Sequence, residues 1–391
     1  MSLSAFTMNW NYPTSVRVGV GRVKEVATAC QQLGMRKPLL VTDPGLAALP
    51  MVTDILGICK EAGLAAGLFS QVKGNPTGAN VDAGVAAYRA GDHDGVIALG
   101  GGSALDAAKA IALMVGQDRP LWDFEDVGDN YTRVNVEGMA PVVAIPTTAG
   151  TGSEVGRASV ITDEANHVKK IIFHPKMLPA LVLLDPELTL GLPAHITAAT
   201  GMDALSHSLE AYCSPFYHPM AEGIALESMR LVKDYLPRAV ANGQDVEARL
   251  QMLVASSMGA TAFQKGLGGM HALAHPLGAL YDAHHGLLNA ILMPYVLVAN
   301  RSALEARMER LARYLNLAEH SFDGFLNWVL ELRASLGIPA SLAALNIDAS
   351  QADKVGQMAA EDPSAGGNPL PLNAADYSRI FRKAVAGDLT A

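Results

Sequence analysis

The sequence predicts two domains: an α/β domain with a largely parallel sheet over residues 1–186, and an all-helical domain over residues 187–391. Two observations support this division. At 391 residues the chain exceeds the usual size of one hydrophobic core. The strand signal almost disappears after DPELTLGLP, at residues 185–193, where apolar residues at three- and four-residue spacing take over. Clefts between two such domains are common ligand sites.

In the first half, short apolar runs alternate with helical patterns, which is typical of a parallel sheet covered by helices. The main runs are VRVGVG from Val16, PLLVTD from Pro38, GVIALGGGS from Gly95 and PVVAIPTT from Pro141. Residues 96–99 and 142–145 are apolar on both faces, as expected for central strands. Further extended segments are predicted at residues 158–162, 170–173 and 180–184.

The second half is expected to be helical throughout. Its clearest helical patterns cover residues 221–236, 247–264, 286–298 and 322–336. The stretch 362–371 is rich in proline and glycine and is predicted to be a surface loop.

Composition narrows the classes of function. A net charge of −9 argues against nucleic-acid partners, since these need a basic surface. No apolar run approaches the roughly 20 residues that span a bilayer, so we expect a soluble protein. The first ten residues do not resemble a secretory signal. Three widely spaced cysteines suggest neither disulfides nor a zinc cluster, which favours the reducing cytoplasm.

A glycine run marks the first candidate ligand site. In GVIALGGGSALDAAKAIA, a buried strand leads directly into Gly100, Gly101, Gly102 and Ser103, and then into an alanine-rich helix. Glycines allow backbone to approach a phosphate, Ser103 could cap the helix, and free N–H groups attract anions. A Rossmann-like dinucleotide-binding turn is therefore predicted. Because the spacing is not GxGxxG, an ordinary strand-to-helix turn is an equal alternative.

A second turn strengthens the prediction. PTTAGTGSE follows the next buried strand and offers the hydroxyls of Thr147, Thr148 and Thr151. Ligands of open α/β sheets bind at the carboxyl ends of strands, where both turns are predicted to lie. Asp43 ends another strand, where its carboxylate could accept from an adenosine ribose and repel a 2′-phosphate, favouring NAD over NADP. A capping aspartate is an equal alternative.

The helical half carries a metal-binding pattern. GMDALSHSLEAY places Asp203 and His207 four residues apart, on one face of a predicted helix. GLGGMHALAHPLGALYDAHHG then contains His271, His275, His284 and His285. A carboxylate with two or three imidazoles and no thiolate suits Fe(II), Zn, Ni or Co. Such an ion beside a nicotinamide could polarise an alcohol or aldehyde oxygen while the cofactor exchanges hydride.

Together GGGSALDAAKA, PTTAGTGSE, DALSHSLEAY and GGMHALAHPLGALYDAHHG resemble the iron-containing alcohol dehydrogenase family, from about residue 12 to residue 381. The resemblance implies a dehydroquinate synthase-like architecture and an oxidoreductase that moves hydride between NAD(H) and a small alcohol or aldehyde. It also implies a divalent metal, Fe(II) first and Zn second, and a homodimer or larger homo-oligomer.

The resemblance assigns roles to particular residues. The implied metal ligands are Asp203, His207, His271 and His285. The implied catalytic residues are His271, His285 and His275, the last lying near substrate and nicotinamide. The implied cofactor-binding residues are Asp43, Asn75, Gly101, Gly102, Ser103, Thr147, Thr148 and Lys169, with Lys170 as the neighbouring alternative to Lys169. His284 is expected to face solvent or to support the ligands.

Several alternatives remain open. Asp106 could orient the cofactor or complement the helix dipole in the first turn. Glu210 could support the metal site, but a contact with a neighbouring helix is the preferred interpretation. The runner-up function is an NAD- and metal-dependent lyase of the dehydroquinate synthase type, although the metal-site segments are poor in lysine and arginine. A noncatalytic nucleotide-binding protein is the third hypothesis.

Overall fold

The computed structural model describes residues 8–10, 13–166 and 168–390. Residues 1–7, which bear on the predicted absence of a secretory signal, lie outside the described residues, as does residue 12, where the family resemblance begins. The chain divides into two compact units. Unit 1 comprises Met1–Thr148 and Gly152–Gly191, and unit 2 comprises Ala149–Thr151 and Leu192–Ala391.

Unit 1 is built on a mainly parallel sheet. Its strands are β1 (Met8–Trp10), β2 (Ser15–Val18), β3 (Pro38–Val41), β4 (Gly67–Phe69), β5 (Gly95–Gly100), β6 (Val142–Pro146), β7 (Ala158–Asp163), β8 (Val168–Phe173) and β9 (Leu181–Leu184). Seven of them form a sheet in the order β1-β2-β9-β6-β5-β3-β4, in which only the pairing of β1 with β2 is antiparallel. β7 and β8 form a separate antiparallel pair. The predicted α/β class is therefore confirmed.

The helices of unit 1 follow its strands. They are α1 (Val26–Gln32), α2 (Pro44–Ala47), α3 (Pro50–Glu61), α4 (Gly78–Ala90) and α5 (Gly102–Met114). Every residue of β5 and β6 is buried, as predicted for central strands. The apolar side chains of Ile97 and Ile145 pack with those of α1 and α3 in one hydrophobic core. The carboxyl ends of β5 and β6 are thereby held side by side.

Unit 2 is helical in its described residues. Its α-helices are α6 (Ala194–Cys213), α7 (Pro219–Ala241), α8 (Val246–Ala262), α9 (Gly269–Tyr281), α10 (His285–Ala299), α11 (Arg301–Tyr314), α12 (Phe322–Ser335), α13 (Ala352–Glu361) and α14 (Ala374–Ala386). Their apolar faces share one core, which includes Leu205, Leu273 and Ile291. The predicted helical domain is confirmed.

The segment 362–371 differs from the predicted surface loop. Pro363–Gly367 forms a short 3-10 helix, and Asn368 is buried. The amide of Asn368 donates to Asn300 Oδ1 and accepts from Asn300 Nδ2. A polar, glycine-rich composition also suits a segment that satisfies buried polar groups, so composition alone could not separate the two possibilities.

Among the described residues, no single helix is both long and apolar enough to cross a bilayer. One pair, His285–Ala299 with Arg301–Tyr314, meets the length and composition criteria when taken together, with a bend of 111° between its helices.

Candidate metal centre and cofactor-binding turns

Four side chains from three helices of unit 2 converge on one point. Asp203 and His207 lie one turn apart on α6, His271 lies on α9, and His285 is the first residue of α10. One ligand atom from each of the four lies within 4.8 Å of the other three. The sequence-predicted ligand set is thus brought together by the packing of α6, α9 and α10.

The hydrogen bonds of two imidazoles aim their lone pairs into this cluster. His207 Nδ1 lies 3.2 Å from Gly150 O, and His271 Nδ1 lies 2.7 Å from Glu210 Oε2. A carbonyl oxygen and an ionised carboxylate oxygen both act only as hydrogen-bond acceptors. The Nδ1 atom of each ring must therefore carry the proton, and the Nε2 atom of each ring keeps its lone pair. Burial also lowers the pKa of His271 well below its usual value, which favours the neutral imidazole.

The donor set fits a divalent cation. Three imidazoles and one carboxylate are suitable ligands for Fe(II) or Zn. The His207 and His271 rings stack with centroids 4.7 Å apart. In the described part of the chain, neither Asp203 nor Glu210 forms an ion pair with lysine or arginine. A cation is therefore the natural counter-charge for these buried carboxylates.

Asn289 completes the cluster and was missed by sequence reasoning. Its Nδ2 lies 2.8 Å from Asp203 Oδ1 and 3.2 Å from Nε2 of both His271 and His285. Asn289 lies four residues after His285 on α10, the same spacing that drew attention to Asp203 and His207. The four-residue spacing between His285 and Asn289 was therefore the sequence signal that could have pointed to Asn289.

Glu210 contacts both a metal-ligand candidate and a neighbouring helix. Its Oε2 accepts from Gly268 N at 2.8 Å, and its Oε1 accepts from Met270 N at 2.6 Å, in addition to the contact with His271. The predicted contact with a neighbouring helix is therefore confirmed, and the same carboxylate also reaches a metal-ligand candidate. Burial raises the pKa of Glu210 to about 7, although the Met270 and Gly268 amides lower it.

His275 lies beside the cluster without belonging to its four-residue set. Its ring stacks on that of His285 with centroids 5.4 Å apart and an interplanar angle of 11°. His275 Nδ1 lies 2.8 Å from Asp362 Oδ2. Burial raises the pKa of Asp362, but His275 and Ser364 outweigh this and hold the pKa below its usual value. Sequence reasoning missed Asp362 because it placed the residue in a surface loop.

His284 and Gly286 flank His285 and have different roles. His284 is exposed, and its Nδ1 accepts from Leu287 N at 3.3 Å, which caps α10. A Cβ at Gly286 would lie 2.5 Å from Ala199 O and 3.0 Å from Asp203 Cβ. Glycine is therefore required for the close approach of α10 to α6.

In unit 1, the two predicted cofactor turns are adjacent. Gly100 at the end of β5 is paired with Pro146 at the end of β6, and Thr147 N donates to Gly100 O at 3.0 Å. Gly100 has φ +143°, where a side chain is rarely accepted. A Cβ on Gly101 would lie 3.2 Å from Thr148 Oγ1. The turns thus form one surface at the carboxyl ends of the strands.

Ser103 does not cap α5, contrary to prediction. The helix begins at Gly102 with Gly101 as its N-cap, so Ser103 lies inside the first turn. Its Oγ instead accepts from Asn75 N at 3.3 Å, and Lys169 Nζ donates to Asn75 Oδ1 at 2.8 Å. Three predicted cofactor residues are thereby linked, whereas Lys170 pairs with two carboxylates.

Two aspartates of unit 1 have clear structural contacts. Asp43 Oδ1 accepts from Leu46 N at 2.9 Å and caps α2, which matches the capping alternative. Its Oδ2 lies 3.8 Å from the position of a Cβ on Gly100, at the glycine turn. Asp106 lies beyond the first turn of α5, so its helix-dipole interpretation was wrong. It accepts from Ser153 Oγ and Val160 N.

These features define a class. A parallel sheet with glycine- and threonine-bearing turns at the ends of adjacent strands, together with a helical unit carrying an aspartate and three histidines, is typical of a metal-dependent oxidoreductase of dehydroquinate synthase-like fold. The family model described as iron-containing alcohol dehydrogenase matches residues 13–186. The model described as Fe-containing alcohol dehydrogenase family, C-terminal, matches residues 197–385. The chain belongs to the iron-containing alcohol dehydrogenase family.

Known relatives support this assignment over the whole chain. A 4-hydroxybutyrate dehydrogenase from Cupriavidus necator is 39% identical, with 96% of this chain and 99% of the relative covered. An NAD-dependent methanol dehydrogenase from Bacillus methanolicus is 35% identical, with 96% and 100% covered. A crystal structure of 1,3-propanediol oxidoreductase matches with a TM-score of 0.91 at 34% identity, with 97% and 99% covered.

The predicted family, fold and enzyme class are therefore confirmed: the chain is an alcohol dehydrogenase of the iron-containing family. The alternative of a dehydroquinate synthase-type lyase is not favoured by these relatives.

Proposed function

We propose that this protein transfers hydride between NAD(H) and a small alcohol or aldehyde, using a divalent metal held by Asp203, His207, His271 and His285. The observation that carries the proposal is the convergence of their four ligand atoms within 4.8 Å. Fe(II) is the preferred ion by family membership, and Zn suits the same donors. When bound, the metal supplies Lewis-acid polarisation of the substrate oxygen.

The chain's own residues orient and deprotonate the substrate. His275 donates Nδ1–H to Asp362, so its Nε2 lone pair is available to take the alcohol proton or to pass it to solvent. Asp362 keeps His275 in this tautomer and stabilises the ring when it becomes charged. In the reverse direction, the same imidazole returns a proton to the reduced aldehyde.

Unit 1 is proposed to bind the dinucleotide cofactor. Gly101, Gly102 and the start of α5 offer backbone N–H groups to the pyrophosphate. Asp43 receives the adenosine ribose, while Asn75, Ser103, Thr147, Thr148 and Lys169 line the rest of the cofactor site. The NAD-dependent relative supports NAD as the dinucleotide. We further propose a cytoplasmic homodimer or larger homo-oligomer, as the family resemblance implies.

The proposal is tested by following NADH absorbance with purified protein loaded with Fe(II) or Zn. The panel contains 4-hydroxybutyrate, methanol, 1,3-propanediol and the matching aldehydes, because the named relatives suggest small, unbranched substrates. Metal-dependent turnover of at least one is expected. Inactivity of metal-loaded protein on the whole panel would contradict the proposal.

Asp203→Asn with His195→Ala forms a matched pair of variants on one helix. Asp203 offers a ligand atom, whereas His195 lies near the start of α6 and is exposed. Asp203→Asn should lose both metal and turnover, and His195→Ala should keep both. Equal behaviour of the two variants would count against the metal assignment.

A further inference from the structure

Helix α6 carries three polar groups on one face, at residues 203, 207 and 210. The first two offer ligand atoms to the cluster. The third, Glu210, reaches across to the histidine offered by another helix. On the basis of the proposed metal site, we propose that Glu210 is the positioning residue of the metal centre. It sets the orientation and the tautomer of the His271 ring, and it sets how strongly Nε2 of that ring binds a cation.

The geometry uses both oxygens of the Glu210 carboxylate. Oε2 accepts from His271 Nδ1 at 2.7 Å and from Gly268 N at 2.8 Å, while Oε1 accepts from Met270 N at 2.6 Å. All three donors belong to the first residues of α9 or directly precede it. One carboxylate therefore fixes the backbone that carries His271 and also the ring itself.

The charge of Glu210 is directed at His271. Its side chain is only 4% exposed, and within the described residues it hydrogen-bonds to His271 and pairs with neither lysine nor arginine. An anion that accepts from Nδ1–H increases the electron density at Nε2, which strengthens the bond of that nitrogen to a cation. Removing such a partner from a metal-bound histidine typically weakens metal affinity about 10- to 100-fold.

A glutamine cannot replace this residue. Its amide has one accepting oxygen and one donating NH₂ group. Since both carboxylate oxygens accept from N–H groups, one of the two positions would place a donor against a donor. E210Q is therefore expected to displace either the His271 ring or the start of α9.

Asn368 provides a matched control at the same helix end. Its Oδ1 accepts from Gly269 N at 3.1 Å, between the two amides that Glu210 binds. Its other hydrogen bonds go to Asn300 and Leu370. N368A thus removes one N-terminal contact of α9 while leaving the bond between Glu210 and His271 in place.

The experiment compares full-length wild type, E210Q and N368A. Zn affinity is measured by competition with a chromophoric chelator, and Co(II) loading gives a visible spectrum that reports ligand geometry. E210Q should bind Zn about 10- to 100-fold more weakly and show an altered Co(II) spectrum. N368A should keep wild-type affinity and spectrum while losing thermal stability. Equal losses in both variants, or unchanged binding in E210Q, would overturn the positioning role.

If E210Q does not fold, E210D tests the positioning role instead. This variant keeps two accepting oxygens on a side chain that is shorter by one methylene. A changed Co(II) spectrum in folded E210D supports the inference, and a wild-type spectrum with wild-type affinity overturns it. Wild-type protein that binds metal but oxidises no alcohol would contradict the proposed function alone. Wild-type protein that binds no metal would overturn both.

Discussion

The two units each bury a charged cluster, and the clusters differ in how their charges are balanced. In unit 1, the Lys109 ammonium lies 3.3 Å from Asp106 and donates to Ala158 O. Burial lowers the pKa of Lys109, while Asp106 and Glu154 raise it. In unit 2, Asp203 and Glu210 contact imidazoles, an amide group and backbone N–H groups, and neither pairs with a lysine or arginine of the described residues.

The difference separates a structural cluster from a functional one. The unit 1 cluster contains its own cation, so it is complete without a ligand and holds α5 against the strand β7. The unit 2 cluster contains carboxylates and imidazole lone pairs and, among the described residues, no lysine or arginine pairs with it, so the proposed metal would supply its counter-charge. Both clusters are buried, and only their internal charge balance distinguishes them.

His271→Ala should have the largest effect, and it tests whether the unit 2 cluster binds a metal. Removing the most buried ligand candidate should abolish metal retention and turnover, while unit 1 stays folded. The metal-dependent stabilisation of the wild type, about 4 kcal/mol when free metal exceeds Kd by 1,000-fold, should vanish in a thermal melt. Retained metal and activity would show that His271 is not a ligand.

Lys109→Met tests whether the charged cluster of unit 1 has a structural role. It leaves Asp106 buried without its cation, so unfolding in urea should show a loss of about 3–5 kcal/mol. Zn affinity per folded molecule should be unchanged. The double variant Asp106→Leu with Lys109→Met removes both charges and should recover part of the loss. A single variant as stable as wild type would mean that the cluster is not a structural ion pair.

His275→Ala tests whether proton transfer and metal binding in unit 2 depend on different residues. Metal content should stay close to wild type, since His275 lies outside the four-residue set. Turnover should fall about 10²- to 10⁴-fold, the usual contribution of a general base, and its pH dependence should change. A wild-type pH–rate profile would remove His275 from the mechanism.

Asp43 gives the smallest expected effect. Asp43→Asn keeps an acceptor for Leu46 N and removes the charge, so it should improve use of NADP relative to NAD about fivefold, for a charge repulsion of about 1 kcal/mol. Asp43→Ala should show the same change in cofactor preference and lose a further roughly 1 kcal/mol of stability with the cap. An unchanged NADP/NAD ratio in both variants would leave Asp43 with the capping role alone.

The sequence predicted most elements because apolar runs and helical periodicity report directly on burial. This pattern identified β5 and β6 in unit 1 and α7, α8, α10 and α12 in unit 2. β4 was missed since Gly67–Phe69 is only three residues long and partly exposed. The predicted N-cap of α5, Ser103, lies two residues after the observed one, Gly101, because cap preferences alone cannot fix the exact start of a helix.

The candidate ligands were accessible to sequence reasoning because their residue types are unusual in apolar surroundings. Of the residues that contact these histidines, Glu210 was considered as a possible support of the metal site, whereas Asp362 was not considered. Asp362 and His275 are 87 residues apart, and Glu210 and His271 are 61 apart, so only the packed helices reveal these contacts. Polar residues that orient ligands resemble ordinary helix contacts until the fold is known.

Gly286 sets how closely α10 can approach α6. With no side chain at this position, the two helices come close enough for His285 Nε2 to lie 3.7 Å from Asp203 Oδ1. A methyl group at Gly286 would push α10 away from α6 and separate these two side chains. The spacing of two candidate ligands is therefore determined by a neighbouring residue that offers no ligand atom of its own.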